Sequence, residues 1–166
     1  MDSVDLFAAE ATRFEEWARS NETDPGLAAR KALIRISTIY LAALQLPPPF
    51  NEELERRPDV ERLPSEESAK VMAYRGIPID MYGEVFDPIP IPPEEPVIGS
   101  IADDVVDIYR DIVTGLRAYQ NGNKAGALWE WGFGFQHHWG EHATGAIRAI
   151  HAWLASNEFD RLSDVP

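Results

Sequence analysis

Three of the four histidines of this chain fall in one short segment, Phe135-Gln136-His137-His138-Trp139-Gly140-Glu141-His142-Ala143. Residues four apart on a helix point the same way, so His138 and His142 share one side. That side is the edge of an apolar face carrying Trp131, Phe135 and Trp139. Two imidazoles so spaced can share a zinc ion through their ring nitrogens. The plainer alternative is a buried pair hydrogen-bonded to carboxylates or backbone. His137, Glu141, Arg148 and His151 fall on the opposite, wet side. The run His138-x-x-Glu141-His142 also spells the pattern of inverted zinc peptidases, with Glu141 as base. Those enzymes take a third ligand from a glutamate far downstream, and little chain follows His142.

A second cluster precedes the first. Asp104, Asp107 and Asp111 stand at i, i+3 and i+7, along one side of a helix. Carboxylates so placed can bind a divalent cation or hold a proton. The structural reading is also specific: Asp103 and Asp104 sit in a first turn, where acids favour the helix dipole, and Asp107 can pair with Arg110. His138 and His142 could be completed as a metal set by an aspartate of this stripe, Asp111, or by a glutamate of the first helix. The five tryptophans are expected in the core. Nucleophilic catalysis and phosphate loops find no support, since no G-x-S-x-G elbow or glycine-rich loop occurs and Gly132-Phe133-Gly134 follows no strand.

The elements that must hold these groups are helical. Val4, Phe7, Ala8, Ala11, Phe14 and Ala18 recur at helical spacing over Ser3 to Ser20. Asp24-Pro25 supplies a cap and a first-turn proline for a helix reaching about Gln45, with Leu33, Ile36, Tyr40, Ala43 and Leu44 as its stripe. Pro47-Pro48-Pro49 ends it. Most of the 13 prolines lie between Pro47 and Pro96. Residues 47–99 therefore read as an irregular crossover. It has room for a short helix capped by Ser65, with Val71 and Met72 inward and Gly76 as stop, and for a strand or hairpin arm in Ile77 to Phe86. Asp87 to Pro93 is expected as an extended strap lying on the helices. Ser100 and Asp103 spell a capping box. The helix after it buries Ile101, Val105, Ile108, Ile112, Leu116 and Tyr119, and Gly122 stops it. One last helix is expected from Asn123 or Lys124 to Asn157, bent near Gly132, Gly134 or Gly140. The expected fold is all-α: one domain over residues 1–166, a bundle of four long helices joined by the proline-rich crossover.

Composition narrows function. With 45% hydrophobic residues the chain can build a core, and with no cysteine it has neither disulfides nor thiolate chemistry. Met1 to Asp5 lacks the basic start of a signal peptide, and no apolar run approaches the ~18 residues of a membrane helix. A cytoplasmic protein is expected. Its 28 acids against 15 bases give a formal charge of −13, which repels nucleic acid and anionic membrane and suits a basic protein partner or a cation.

Two stretches resemble a known family. Asp103-Asp104-Val105-Val106-Asp107-Ile108-Tyr109-Arg110-Asp111, continuing to Gly115-Leu116, resembles its D-D-x-x-D-I-Y-R-D block. Phe135 to Ala143, continuing to His151, resembles its F-x-x-H-W-G-x-H-A block. The family is the bacterial domain-of-unknown-function family 5063, and the likeness is firm from Tyr82 to His151. The resemblance implies a helical domain of this length and no established activity. Carried over by it are Asp104, Asp107, Tyr109, Asp111, His138, Trp139 and His142, the candidate pocket, while the position of Glu141 is open in the pattern. A non-catalytic binding or protein-interaction module with no cofactor is the expected function. The alternative is a metal- or small-ligand-binding bundle, extending to a metal-dependent enzyme, built on His138/His142 and Asp104/Asp107/Asp111. Divalent metal is the one cofactor the residues suggest.

Overall fold

A computed structural model describes residues 2–49 and 59–157; the part of the expected crossover at 50–58 lies outside them. The order is α1 Ser3–Ala18, α2 Pro25–Ala43, α3 Ser65–Ser68, a 3-10 turn Ala73–Gly76, β1 Met81–Glu84, β2 Val97–Ser100, α4 Ile101–Gln120, α5 Lys124–His137 and α6 Trp139–Asn157. Helix α4 is central: it packs on α1, α5 and α6, while α2 packs on α1 and α6. The core joins Phe7 and Phe14 of α1, Ile36 and Ile39 of α2, Ile108 and Ile112 of α4, Trp131 of α5, and Trp139 and Ile150 of α6. No helix among the described residues is long and apolar enough to cross a membrane.

Local chemistry sets the boundaries. Asp2 and Asp5 close a reciprocal capping box on α1. Asp24 accepts the Leu27 amide, and Pro25 fills the first turn of α2. Gly122, at φ +80°, turns the chain out of α4 where a side chain would be strained, and Asn123 then caps α5.

Several expectations need correction. The stripe of α2 is rotated: Ala28, Ala29, Ala32, Ile36, Ile39 and Ala43 are buried, whereas Leu44 is exposed. The small alanines let α2 come close to its neighbours, which the larger leucines at 33 and 44 would prevent. Ser100 does cap α4 through the Asp103 amide, but its other partner is Asp80, whose carboxylate accepts both the Ser100 hydroxyl and the Ala102 amide. The short helix spans only Ser65–Ser68, preceded by Pro64 with no side-chain cap; Val71 is buried and Met72 half-buried. The arm is a two-stranded antiparallel sheet pairing Met81 with Ser100 and Glu84 with Val97. The strap does not lie on the helices, for Ile89 and Ile91 are 83% and 95% exposed. It is the outlying loop of this hairpin, held off the core because both its ends are committed to strand pairing. The single bent last helix is two helices. The break falls at His138 (φ −155°, ψ −87°), and Gly140 permits it because a Cβ there would sit 2.2 Å from the Phe135 carbonyl oxygen.

The α4–α5 contact is set by Gly115. A Cβ at this position would lie 2.3 Å from Nε1 of Trp131, a fully buried indole that donates to the Ile112 carbonyl. Gly115→Ala gains about 1 kcal/mol of helix propensity but must push a rigid ring that has no space to yield, at about 1–3 kcal/mol. Urea unfolding of Gly115→Ala should show net destabilisation; equal or greater stability would contradict this packing.

Candidate metal centre

Helix α4 presents Asp104, Asp107 and Asp111 towards the α5–α6 junction, and each carboxylate meets an imidazole there. His138 Nδ1 lies 2.7 Å from Asp111 Oδ2. His142 Nδ1 lies 2.8 Å from Asp104 Oδ1. Its other nitrogen, Nε2, faces Asp107 Oδ2 at 3.5 Å. The two rings stand edge to face with centroids 5.0 Å apart.

The hydrogen positions follow from the chemistry. An ionised carboxylate only accepts, so each Nδ1 carries the proton and donates it. In a neutral ring that leaves the Nε2 lone pair as the open ligand position. At His142 this nitrogen lies 3.5 Å from a carboxylate oxygen, two electron-rich atoms close together. The contact is favourable only with a cation between or on them: a proton making His142 an imidazolium, or a metal ion. The ligand atoms of Asp107, His138 and His142 all lie within 4.8 Å of one another. Around a tetrahedral zinc with ~2.0–2.1 Å bonds, donor atoms stand about 3.3 Å apart. The His142–Asp107 pair is already near that spacing, and His138 belongs to the same group.

Asp104 is the buried member, with its side chain 4% exposed. Its second oxygen accepts the Tyr82 hydroxyl of β1 at 2.8 Å. Glu84 Oε2 lies 3.3 Å from the same hydroxyl. The Tyr82 proton goes to Asp104, so a bond from Glu84 requires a protonated carboxyl. Burial, then the Asp104 charge, push the Glu84 pKa upward in the required sense. Burial and Asp104 likewise raise the Tyr82 phenol. Gly145 makes room for the pair, since a Cβ there would be 2.4 Å from both Glu84 Oε1 and the Tyr82 hydroxyl. Arg148 Nη2 ties the hairpin to α6 by donating to the Gly83 carbonyl.

The remaining candidates separate. Asp111, the expected third ligand, lies against His138 Nδ1, and Asp107 is the aspartate grouped with the two histidines. Asp107 also pairs with Arg110 on its other oxygen. Trp139 is fully buried behind the centre, its indole donating to the Trp131 carbonyl. Tyr109 faces the other way: it is buried against α1 and accepts two bonds from the Arg19 guanidinium. Glu141, His137, Arg148 and His151 are exposed, so Glu141 is not poised as a base. Sequence reasoning offered the arm from Tyr82 to Pro88 only as a groove wall or packing and gave Tyr82 and Glu84 no partners; their only further signal was the period-2 position they share on one face of the arm.

The Asp104 hydrogen bond raises the His142 pKa above 6.5 and outweighs its desolvation. A raised histidine contributes stability fully below the unfolded value of about 6.5 and loses it as pH climbs through the folded pKa. In metal-free protein the His142 ring should titrate above 6.5 by NMR, and Asp104→Asn should bring the midpoint down. A wild-type midpoint at or below 6.5 would contradict the pairing.

Comparison with solved structures finds the crystal structure of protein BF1032 from Bacteroides fragilis, at TM-score 0.67 and 20% identity, covering 92% of this chain and 95% of that one. At that identity the likeness establishes the fold alone. No match is found among curated proteins. The model of DUF5063, described as a domain of unknown function, matches residues 2–156, and the chain belongs to that family.

Proposed function

We propose that this protein is a divalent-metal-binding helical bundle, with the ion held by His138, His142 and Asp107. The observation that carries this reading is the opposed pair of His142 Nε2 and Asp107 Oδ2 at 3.5 Å, while both histidines have Nδ1 fixed by a carboxylate. Carboxylate–histidine–metal relays of this kind fix the tautomer and raise ligand basicity. Two imidazoles and one carboxylate favour zinc, and also suit the non-haem iron(II) triad. Three protein ligands leave positions for water or substrate, as in catalytic rather than structural sites. His138, with its side chain 44% exposed, gives solvent a route in. A metal-dependent hydrolytic or hydration role fits such a centre, the metal supplying a bound water of lowered pKa.

Metal must displace the second proton of the His142 ring, so affinity should rise with pH through the His142 pKa. Zinc titrated into metal-free protein should bind at one equivalent. His142→Ala should abolish stoichiometric binding, and Asp111→Asn should weaken it by about 10–100-fold through the ring it orients. Mass spectrometry finding less than a tenth of an equivalent on the zinc-treated wild type would end the proposal.

A second reading, interaction with a basic protein, is favoured by a different observation. The hairpin arm exposes Phe86, Ile89, Ile91 and Ile98 beside Asp87, Glu94 and Glu95, in a chain of formal charge −13. Apolar area of this kind marks contact surfaces. A basic partner retained by the wild type and lost with Ile89→Asp/Ile91→Asp, at unchanged zinc content, supports it. Equal retention by both chains counts against it.

A further inference from the structure

Beside the proposed metal ligands lies a cavity of about 320 Å³ lined by His138, Arg110 and Arg62. Two guanidiniums at one opening are conspicuous where acids outnumber bases 28 to 15. Arg110 at present pairs with the Asp107 oxygen that does not face His142. A metal ion on Asp107 draws charge from that pair and leaves the half-exposed guanidinium free to turn into the cavity. Asp111 and Glu130 also line it, so without metal the charges of its wall cancel. A divalent ion held by Asp107 adds a net positive charge of one beside it.

Resting on the metal reading above, we propose that this cavity binds a small phosphate monoester, its phosphate bridging the metal ion, Arg110 and Arg62. Arg62, Arg110 and the proposed ligand His138 line one cavity, and a monoester offers three terminal oxygens where a carboxylate or a diester offers two. Guanidinium forks match phosphate oxygens with paired hydrogen bonds. The organic part has a wall to rest on: Trp129 and Phe133 line the same cavity and stack at 4.6 Å and 10°. Metal and phosphate then bind cooperatively, each raising affinity for the other by the same factor.

The test is calorimetry with phenylphosphonate, a non-hydrolysable monoester mimic, on full-length zinc-loaded protein whose zinc content is measured in the same sample. Binding is expected to weaken at least tenfold in zinc-free protein, in zinc-loaded Arg62→Ala, and for benzoate in place of the phosphonate. Arg62 is exposed, so its variant should keep the wild-type melting temperature and zinc content. Zinc retained with no phosphonate binding, or with equal binding by Arg62→Ala, overturns this inference and leaves the metal reading standing. Equal affinity for benzoate overturns the phosphate assignment. Equal binding by the zinc-free protein overturns the bridge. A chain that retains no zinc removes the metal reading and this inference together.

Discussion

Asp104 places a carboxylate in the interior, where an unpaired charge costs several kcal/mol, and both of its oxygens are answered. One takes the His142 ring of α6 and the other the Tyr82 hydroxyl of β1. A single side chain near the start of α4 thus fixes the rotation of α6 and the seat of the hairpin. Removing any one partner leaves the others buried and unsatisfied, a larger penalty than the bond itself would suggest. The positions of His142 Nε2, Asp107 and the Tyr82–Glu84 pair all follow from how this carboxylate is satisfied.

Small residues let the pairing happen. At Gly134 a Cβ would lie 2.8 Å from the Trp139 ring and 3.1 Å from Asp111 Oδ2, and at Gly145 it would collide with Tyr82 and Glu84. Large aromatic side chains fill the space behind the centre, while glycines face it, so polar atoms from three elements approach without being pushed apart. The same economy of volume explains the alanines of α2 and the break between α5 and α6. Tyr109 belongs to another device: with Arg19, Glu15 and Glu67 it locks the end of α1 against α4 and α3.

Much of this was legible from residue types and spacing. The caps of α2 and α4, the stripe of α4 and the grouping of aspartates on one helix side and histidines on another are all local or one-dimensional signals. What remained illegible depended on three-dimensional fit. Spacing along α4 makes Asp107 and Asp111 equivalent candidates, and only the break at His138 decides that Asp111 meets Nδ1 of one ring while Asp107 meets Nε2 of the other. A periodic apolar pattern runs straight through that break, because α5 and α6 bury the same kinds of residue. Strand pairing between residues on opposite sides of a proline-rich loop leaves almost no trace in sequence, so the strap was expected on the helices and the contact of Glu84 with Tyr82 stayed unread.

As proposed, a zinc ion here is surrounded by His138, His142 and Asp107. Zinc K-edge X-ray absorption on the loaded protein addresses it directly. Two imidazole nitrogens and at least one carboxylate oxygen are expected at about 2.0–2.1 Å, with outer-shell scattering from both rings. A shell of oxygens without imidazole scattering would contradict it.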